Sequence, residues 1–292
     1  MNALEPLCSV GRCAIPWVDP ACDAARPLTL HGYRAAAATP DSPVVLVSHG
    51  MGRNGDEYRD FWIAAAERHG LIIVAPTFGA EAWPGAETYN NGLVLAADGA
   101  VRPRDSWAYA IPLRIFAALR EAGVTRRPRA HFFGHSAGGQ FGHRLMSTQP
   151  HDLFEQATIG NPGWYSLPTL DLPFPDGLGG IGLGDADVLR LLAYPMTILA
   201  GDQDIETSGP SLPAGPGALA QGPHRFARAH NYLAAGRAEA ARRGVACAWR
   251  LVSVPGIGHD GAAMSRVAAA LWFENRLISA AEAGAGAGKA VL

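Results

Sequence analysis

The run Phe133-Gly134-His135-Ser136-Ala137-Gly138-Gly139 carries the strongest chemical signal in the chain. Gly134 to Gly138 spell G-x-S-x-G, directly after the apolar run His131-Phe132-Phe133 and directly before a helix-like stretch, Gln140 to Thr148. A serine at the tip of a sharp strand-to-helix turn is presented for nucleophilic attack. Its backbone is strained there, and the residues two before and two after must be small to avoid collision. Gly134 and Gly138 meet that need, so Ser136 is read as a nucleophile. A serine hydroxyl is weak near neutral pH and requires a base, which in turn requires an orienting acid.

With such an elbow the expected chain order is Ser, acid, His. Five histidines follow Ser136: His143, His151, His224, His230 and His259. His259 lies in Val254-Pro255-Gly256-Ile257-Gly258-His259-Asp260, a Gly-rich loop between the last apolar run and the last helical stretch. Loops at the carboxyl ends of strands form the site in open α/β sheets, so His259 is the expected base. His143 and His151 follow the nucleophile too closely, and His224 and His230 fall in a helical stretch. These four are read as solvated or capping histidines.

The acid is expected after the run Met196 to Ala200, in Gly201-Asp202-Gln203-Asp204-Ile205-Glu206. Asp204, at G-x-x-D spacing from Gly201, can curl back beneath the histidine and is preferred. Asp202 would brace the turn, and Glu206 is the remaining alternative. Two amides are needed for the oxyanion of a tetrahedral intermediate. One is Ala137 N–H, at a helix N-terminus whose dipole also favours negative charge. The other is Met51 N–H, with Gly52 the alternative, in the loop Ser48-His49-Gly50-Met51-Gly52-Arg53-Asn54.

The segments that must hold these residues alternate in type. Apolar runs at 44–47, 71–74, 131–133, 157–159, 196–200 and 245–254 read as strands, the second stopped by Pro76. Helical stretches are expected near 57–69, 106–122, 137–148, 223–243 and 261–279. In the second of these, Ile111, Ile115 and Leu119 share one face, and Asp105 or Ser106 is the expected N-cap. Pro112 should kink that helix or mark its true start. Such alternation implies βαβ units, a mostly parallel sheet and helices on both faces. The expectation is an irregular segment over 1–26, one α/β domain over 27–279 with a lid-like insertion at 161–194, and a flexible tail over 280–292.

The chain resembles the α/β-hydrolase-fold serine hydrolases across about residues 40–275. Gly134 to Gly138 match that family's nucleophile elbow and His49-Gly50-Met51 its oxyanion loop. Asp204 stands at its acid position and His259 at its base position. Within the superfamily the chain is similar to bacterial esterases related to polyhydroxybutyrate depolymerases and feruloyl esterases. The resemblance implies a hydrolase of small-molecule carboxylic esters that uses no cofactor, with an amidase or peptidase, or a non-catalytic binding relative, as rivals.

The remaining signals are weaker. Trp83, Trp164 and Tyr165 follow strand ends on the expected catalytic side and could wall a substrate pocket or simply pack the loops down. Gly177 to Gly182 reads G-x-G-G-x-G but follows no strand and opens no helix, so it is read as part of a mobile lid and not as a nucleotide loop. No HExxH and no paired CxxC occurs, and no metal is expected. Lys plus Arg total 24 against 26 Asp plus Glu, which lacks the basic footprint of a nucleic-acid binder. No apolar run reaches the ~18 residues of a membrane span. The N-terminus lacks a basic region followed by an apolar core, and a cytoplasmic location is the expectation, secretion requiring a leader ahead of this numbering. Cys8, Cys13, Cys22 and Cys247 are too few for a disulfide scaffold, although a Cys13–Cys22 loop is conceivable.

Overall fold

The computed structural model describes residues 3–150 and 152–284. Its strands are β1 (Gly11–Trp17), β2 (Leu28–Arg34), β3 (Val44–Ser48), β4 (Ile72–Thr77), β5 (Ala130–His135), β6 (Phe154–Gly160), β7 (Thr197–Gly201) and β8 (Arg250–Val254). Its helices are α1 (Gly55–Phe61), α2 (Ile63–His69), α3 (Gly85–Thr88), α4 (Ile111–Glu121), α5 (Ala137–Thr148), α6 (Asp185–Ala193), α7 (Pro216–Ala220), α8 (Arg225–Arg242) and α9 (Gly261–Phe273). The strands form one open sheet in the order β1-β2-β4-β3-β5-β6-β7-β8. From β4 through β8 the pairing is parallel, and β1 and β2 join antiparallel at one edge.

The central strands are buried along their whole length, as β3 and β5 show. That is why they read as unbroken apolar runs without alternation. One face of the sheet is covered by α4, α5, α6 and α8, the other by α1, α2 and α9. On the first face Phe141 of α5 packs its ring within 5.1–5.4 Å of Phe78, Tyr89 and Tyr109. On the second, Trp62 stacks on Trp272 at 5.4 Å and meets Phe133 edge-on.

Several boundaries differ from the sequence expectation. Residues 11–17, read as irregular, form β1, and β2 follows it. Gly32 of β2 leaves room for the Leu7 side chain and Cys13 Sγ, the latter 2.6 Å from where a Cβ would stand. Pro76 does not stop β4; it lies within the strand and pairs with Leu30. The helix expected over 57–69 is two, broken at the fully buried Trp62 and ended by Gly70 at φ 64°. Pro112 marks a true start: α4 begins at Ile111, and Asp105 and Ser106 lie in a separate 3-10 turn instead of capping it. Strand β8 begins only at Arg250, and α9 ends at Phe273.

The stretch 161–194 ends in α6, and the loop before it is tied down. Leu167 N–H donates to Asp176 O, Leu178 N–H to Thr169 O, and Leu178 is fully buried. Residues 280–284, expected in the tail, turn back onto α9, where Arg266 donates to Ala283 O at 2.7 Å. The rest of that expected tail, 285–292, lies outside the described residues. All four cysteines are free thiols, so Cys13 and Cys22 are not joined.

Truncating Phe141 to Ala removes the ring shared by three aromatic neighbours on the helix that follows the elbow. The expected loss is about 3–5 kcal/mol of unfolding free energy, read from urea titration. A loss under 1 kcal/mol would show that the cluster contributes little.

Candidate active site

Strand β5 delivers Ser136 into a turn at φ 57°, ψ −116°, and α5 begins at the next residue. A positive φ is costly for a residue with a Cβ, and the surroundings enforce it. Ser136 N–H donates to Gly160 O at 2.9 Å, and Gln140 N–H donates to Ser136 O at 3.0 Å. A Cβ on Gly134 would collide with the Gly138 carbonyl. A Cβ on Gly138 would collide with Ser48 O and lie 2.7 Å from His49 O. The two glycines therefore let the elbow press backbone to backbone against the end of β3.

The loop after β8 brings His259 to this serine. Ser136 Oγ donates to His259 Nε2 at 2.9 Å, and His259 Nδ1–H donates to Asp204 Oδ2 at 2.7 Å. The Asp204 side chain is 1 % exposed while His259 keeps 23 %, so the carboxylate is shielded and the imidazole open. Asp202 does what a turn brace would do: its carboxylate accepts from Gly256 N–H at 2.8 Å. Glu206 is exposed and away from this line of hydrogen bonds.

The loop after β3 is held by His49. Its Nδ1–H donates to Gly50 O at 2.8 Å, and its Nε2 accepts from Phe78 N–H at 3.0 Å. Tyr89 Oη donates to His49 O at 2.7 Å. Burial pushes the His49 imidazole down to about 3, so it stays neutral and keeps this tautomer. Met51 projects from the loop, 55 % exposed. Among the described residues the amides of Met51, Gly52 and Ala137 donate no backbone hydrogen bond, which leaves them available to an incoming oxygen.

A poly(3-hydroxybutyrate) depolymerase from Bordetella parapertussis matches with a TM-score of 0.94 and 55 % identity, over 97 % of this chain and 96 % of that one. The chain belongs to the α/β-hydrolase-fold serine hydrolases. A poly(aspartic acid) hydrolase from Sphingomonas sp. KT-1 matches this hydrolase at 34 % identity and TM-score 0.86, over 90 % and 98 % of the two chains. An S-formylglutathione hydrolase from Agrobacterium tumefaciens, at 16 % identity and TM-score 0.58 over 92 % and 97 %, shares the fold. No family's sequence model matches the chain, and no curated protein matches it.

The hydrolase does not use its aromatic residues as expected. Trp83 is 1 % exposed; its Nε1–H donates to Pro27 O, and its ring meets Phe78 at 4.9 Å. Tyr165 is fully buried and stacks on Tyr232 at 4.3 Å. Both are packing residues and offer no surface to a substrate. Trp164 is half-buried, with the Arg144 guanidinium 5.0 Å from its ring centre. His143 is neither solvated nor capping: it is fully buried, bonded to Gly139 O and accepting from Ser166 N–H. His224 caps α8 by accepting from Ala227 N–H. His230 is exposed, and His151 lies outside the described residues.

Two positioning residues escaped the sequence reading. Asn161, at φ 44°, donates from Nδ2 to Gly258 O and accepts at Oδ1 from Gly201 N–H, each at 3.0 Å. One amide thus joins the His259 loop to the end of β7, just ahead of Asp204. Arg225, at the start of α8, lies 3.4 Å from Asp204 Oδ1 and donates to Ser211 O at 2.6 Å. An Asn directly after a strand was visible in sequence; the pairing of Arg225 with a residue twenty-one positions earlier was not.

Acid should unfold this hydrolase early. Burial lowers His49 to about 3 and His131 to about 4, and holds His135 and His143 well below the ordinary histidine value. Above about pH 6.5 all four are neutral in both states and add no pH slope. Below it the unfolded chain binds protons that the folded chain refuses, so stability falls with pH. Each contributes up to about 1.4 kcal/mol per pH unit and the four together up to about 5.5 kcal/mol per pH unit. Unfolding free energy measured by urea titration between pH 6.5 and 4.5 should drop steeply; a flat profile would contradict the burial of neutral rings.

Proposed function

We propose that this hydrolase cleaves carboxylic esters through an acyl-enzyme, with Ser136 as nucleophile, His259 as base and Asp204 as acid. The observation that carries the reading is the unbroken line Ser136 Oγ, His259 Nε2, His259 Nδ1, Asp204 Oδ2, with links of 2.9 and 2.7 Å. Ser136 Oγ attacks the carbonyl carbon as its proton passes to His259 Nε2. The Met51 and Ala137 amides receive the negative charge that develops on the carbonyl oxygen. Collapse expels the alcohol, which takes the proton from His259. Water then attacks the acyl carbon and gives its proton to the same nitrogen. The second collapse releases the carboxylic acid and returns the proton to Ser136 Oγ. Asp204, shielded from water, holds the ring in the Nδ1–H tautomer and stabilises the imidazolium formed in both halves.

The preferred substrate class is an ester of a 3-hydroxy acid, on the strength of 55 % identity to a poly(3-hydroxybutyrate) depolymerase. The 34 % identical poly(aspartic acid) hydrolase supports amide cleavage as the second reading. No helix among the described residues is long and apolar enough to cross a membrane, and four free thiols fit a reducing, cytoplasmic setting.

Hydrolysis of p-nitrophenyl esters from acetate to long-chain acyl tests the reaction. Ser136→Ala should lose about 10⁴-fold or more in kcat while folding normally; retained activity would remove the assignment. Parallel assays on soluble oligomers of 3-hydroxybutyrate and of aspartate separate ester from amide specificity. Trp164→Ala should change relative kcat/KM across acyl lengths, and an unchanged ranking would take Trp164 out of the pocket.

A further inference from the structure

Tyr58 lies on α1 and is buried, and its hydroxyl stands at a junction of three backbone segments. Tyr58 Oη is 2.8 Å from His135 Nδ1. A Cβ on Gly50 would stand 3.0 Å from that oxygen, and a Cβ on Gly261 would stand 2.6 Å from it and 3.1 Å from His135 Nδ1. Gly50 belongs to the loop of the candidate oxyanion amides. His135 immediately precedes Ser136. Gly261 opens α9, two residues after His259. Tyr58 Oη carries a proton that it can donate to His135 Nδ1.

The His135 ring in turn lies against the base. Its centroid is 4.8 Å from that of His259, with the planes at 37°. His135 is 2 % exposed, and its Nε2 has no hydrogen-bond partner among the described residues. A buried ring nitrogen left unpartnered costs stability, and an apolar side chain of similar size would avoid that cost. Burial, with His259 and Arg225 nearby, keeps the ring uncharged. It therefore adds no repulsion when His259 takes the proton of Ser136. Burial also pushes the Tyr58 phenol up, so it remains a donor.

We propose that Tyr58 and His135 form a positioning pair for the base: the Tyr58 hydroxyl fixes the plane of the His135 ring, and that ring is the surface that keeps His259 Nε2 on Ser136 Oγ. The proposal rests on the triad reading above. Neither residue exchanges a proton with substrate. Their contribution is orientation, and misorientation of a base lowers the rate of the chemical step more than it weakens binding.

The test uses the full chain with Tyr58→Phe, which keeps the ring, and His135→Phe, which keeps a ring without nitrogen. Each should lower kcat on a p-nitrophenyl ester about tenfold with KM unchanged within twofold. The rate of Ser136 labelling by a fluorophosphonate should fall in parallel. The double variant should be no slower than either single one, because the two residues act as a unit. Near-normal kcat in folded Tyr58→Phe would overturn the proposal, as would losses that multiply in the double variant. A shift confined to thermal stability would assign the pair to packing alone and also overturn it. Ser136→Ala is run beside these variants. Activity surviving there defeats the triad reading itself, an outcome separate from any result at Tyr58.

Discussion

The close approach of two backbones governs this molecule. Strand β3 lies beside β5 in the sheet, with Ser48 in register with Gly134. Both chains leave the sheet at the same level and touch, Gly138 lying against the carbonyls of Ser48 and His49. That contact sets the separation between Ser136 and the loop after β3. A single methyl group at Gly134 or Gly138 would have to push these segments apart. The positive φ of Ser136 is the local cost, offset by hydrogen bonds on either side of the turn.

Beyond the sheet, the site is built from loops, and polar side chains take the place of regular pairing. Gln221 exchanges two hydrogen bonds with the Tyr165 backbone, accepting at 2.9 Å and donating at 2.7 Å, much as a neighbouring strand would. Arg228 draws together the carbonyls of Gly163, Pro213 and Gly222. Asn161 does the same for the segments around Gly201 and Gly258. Buried peptide groups must find partners, and here a few long side chains supply them. The loops are consequently ordered without strands or long helices of their own.

Legibility in the sequence followed the range of the interactions. The parallel strands were readable because burial on both faces leaves an uninterrupted apolar run. The meeting of Ser136, Asp204 and His259 was readable because each sits a few residues beyond such a run, where topology gathers strand ends. Strands β1 and β2 were not, since their pairing depends on Leu7 and Cys13 packing over Gly32. Pro76 misled because a proline in a strand is tolerated where its missing N–H is not required. Trp83 and Tyr165 had the right position along the chain, but their direction is fixed by distant partners, Pro27 and Tyr232. His143 looked polar and superficial; its two ring nitrogens are matched by Gly139 and Ser166, a coincidence of α5 with a remote loop.

Strand β1 ends the sheet on one side, and an outer strand offers its unpaired amides to any passing chain. Pro16 removes one of those donors, and Arg12, bonded to Asp60 at 2.9 Å, sets a charge along the rim. Six of the seven residues of β1 are exposed or half-buried, Ile15 being the exception. The rim is thus poorly suited to recruit a further strand. Growth of the sheet by intermolecular pairing is discouraged there by the same short segment that closes the fold.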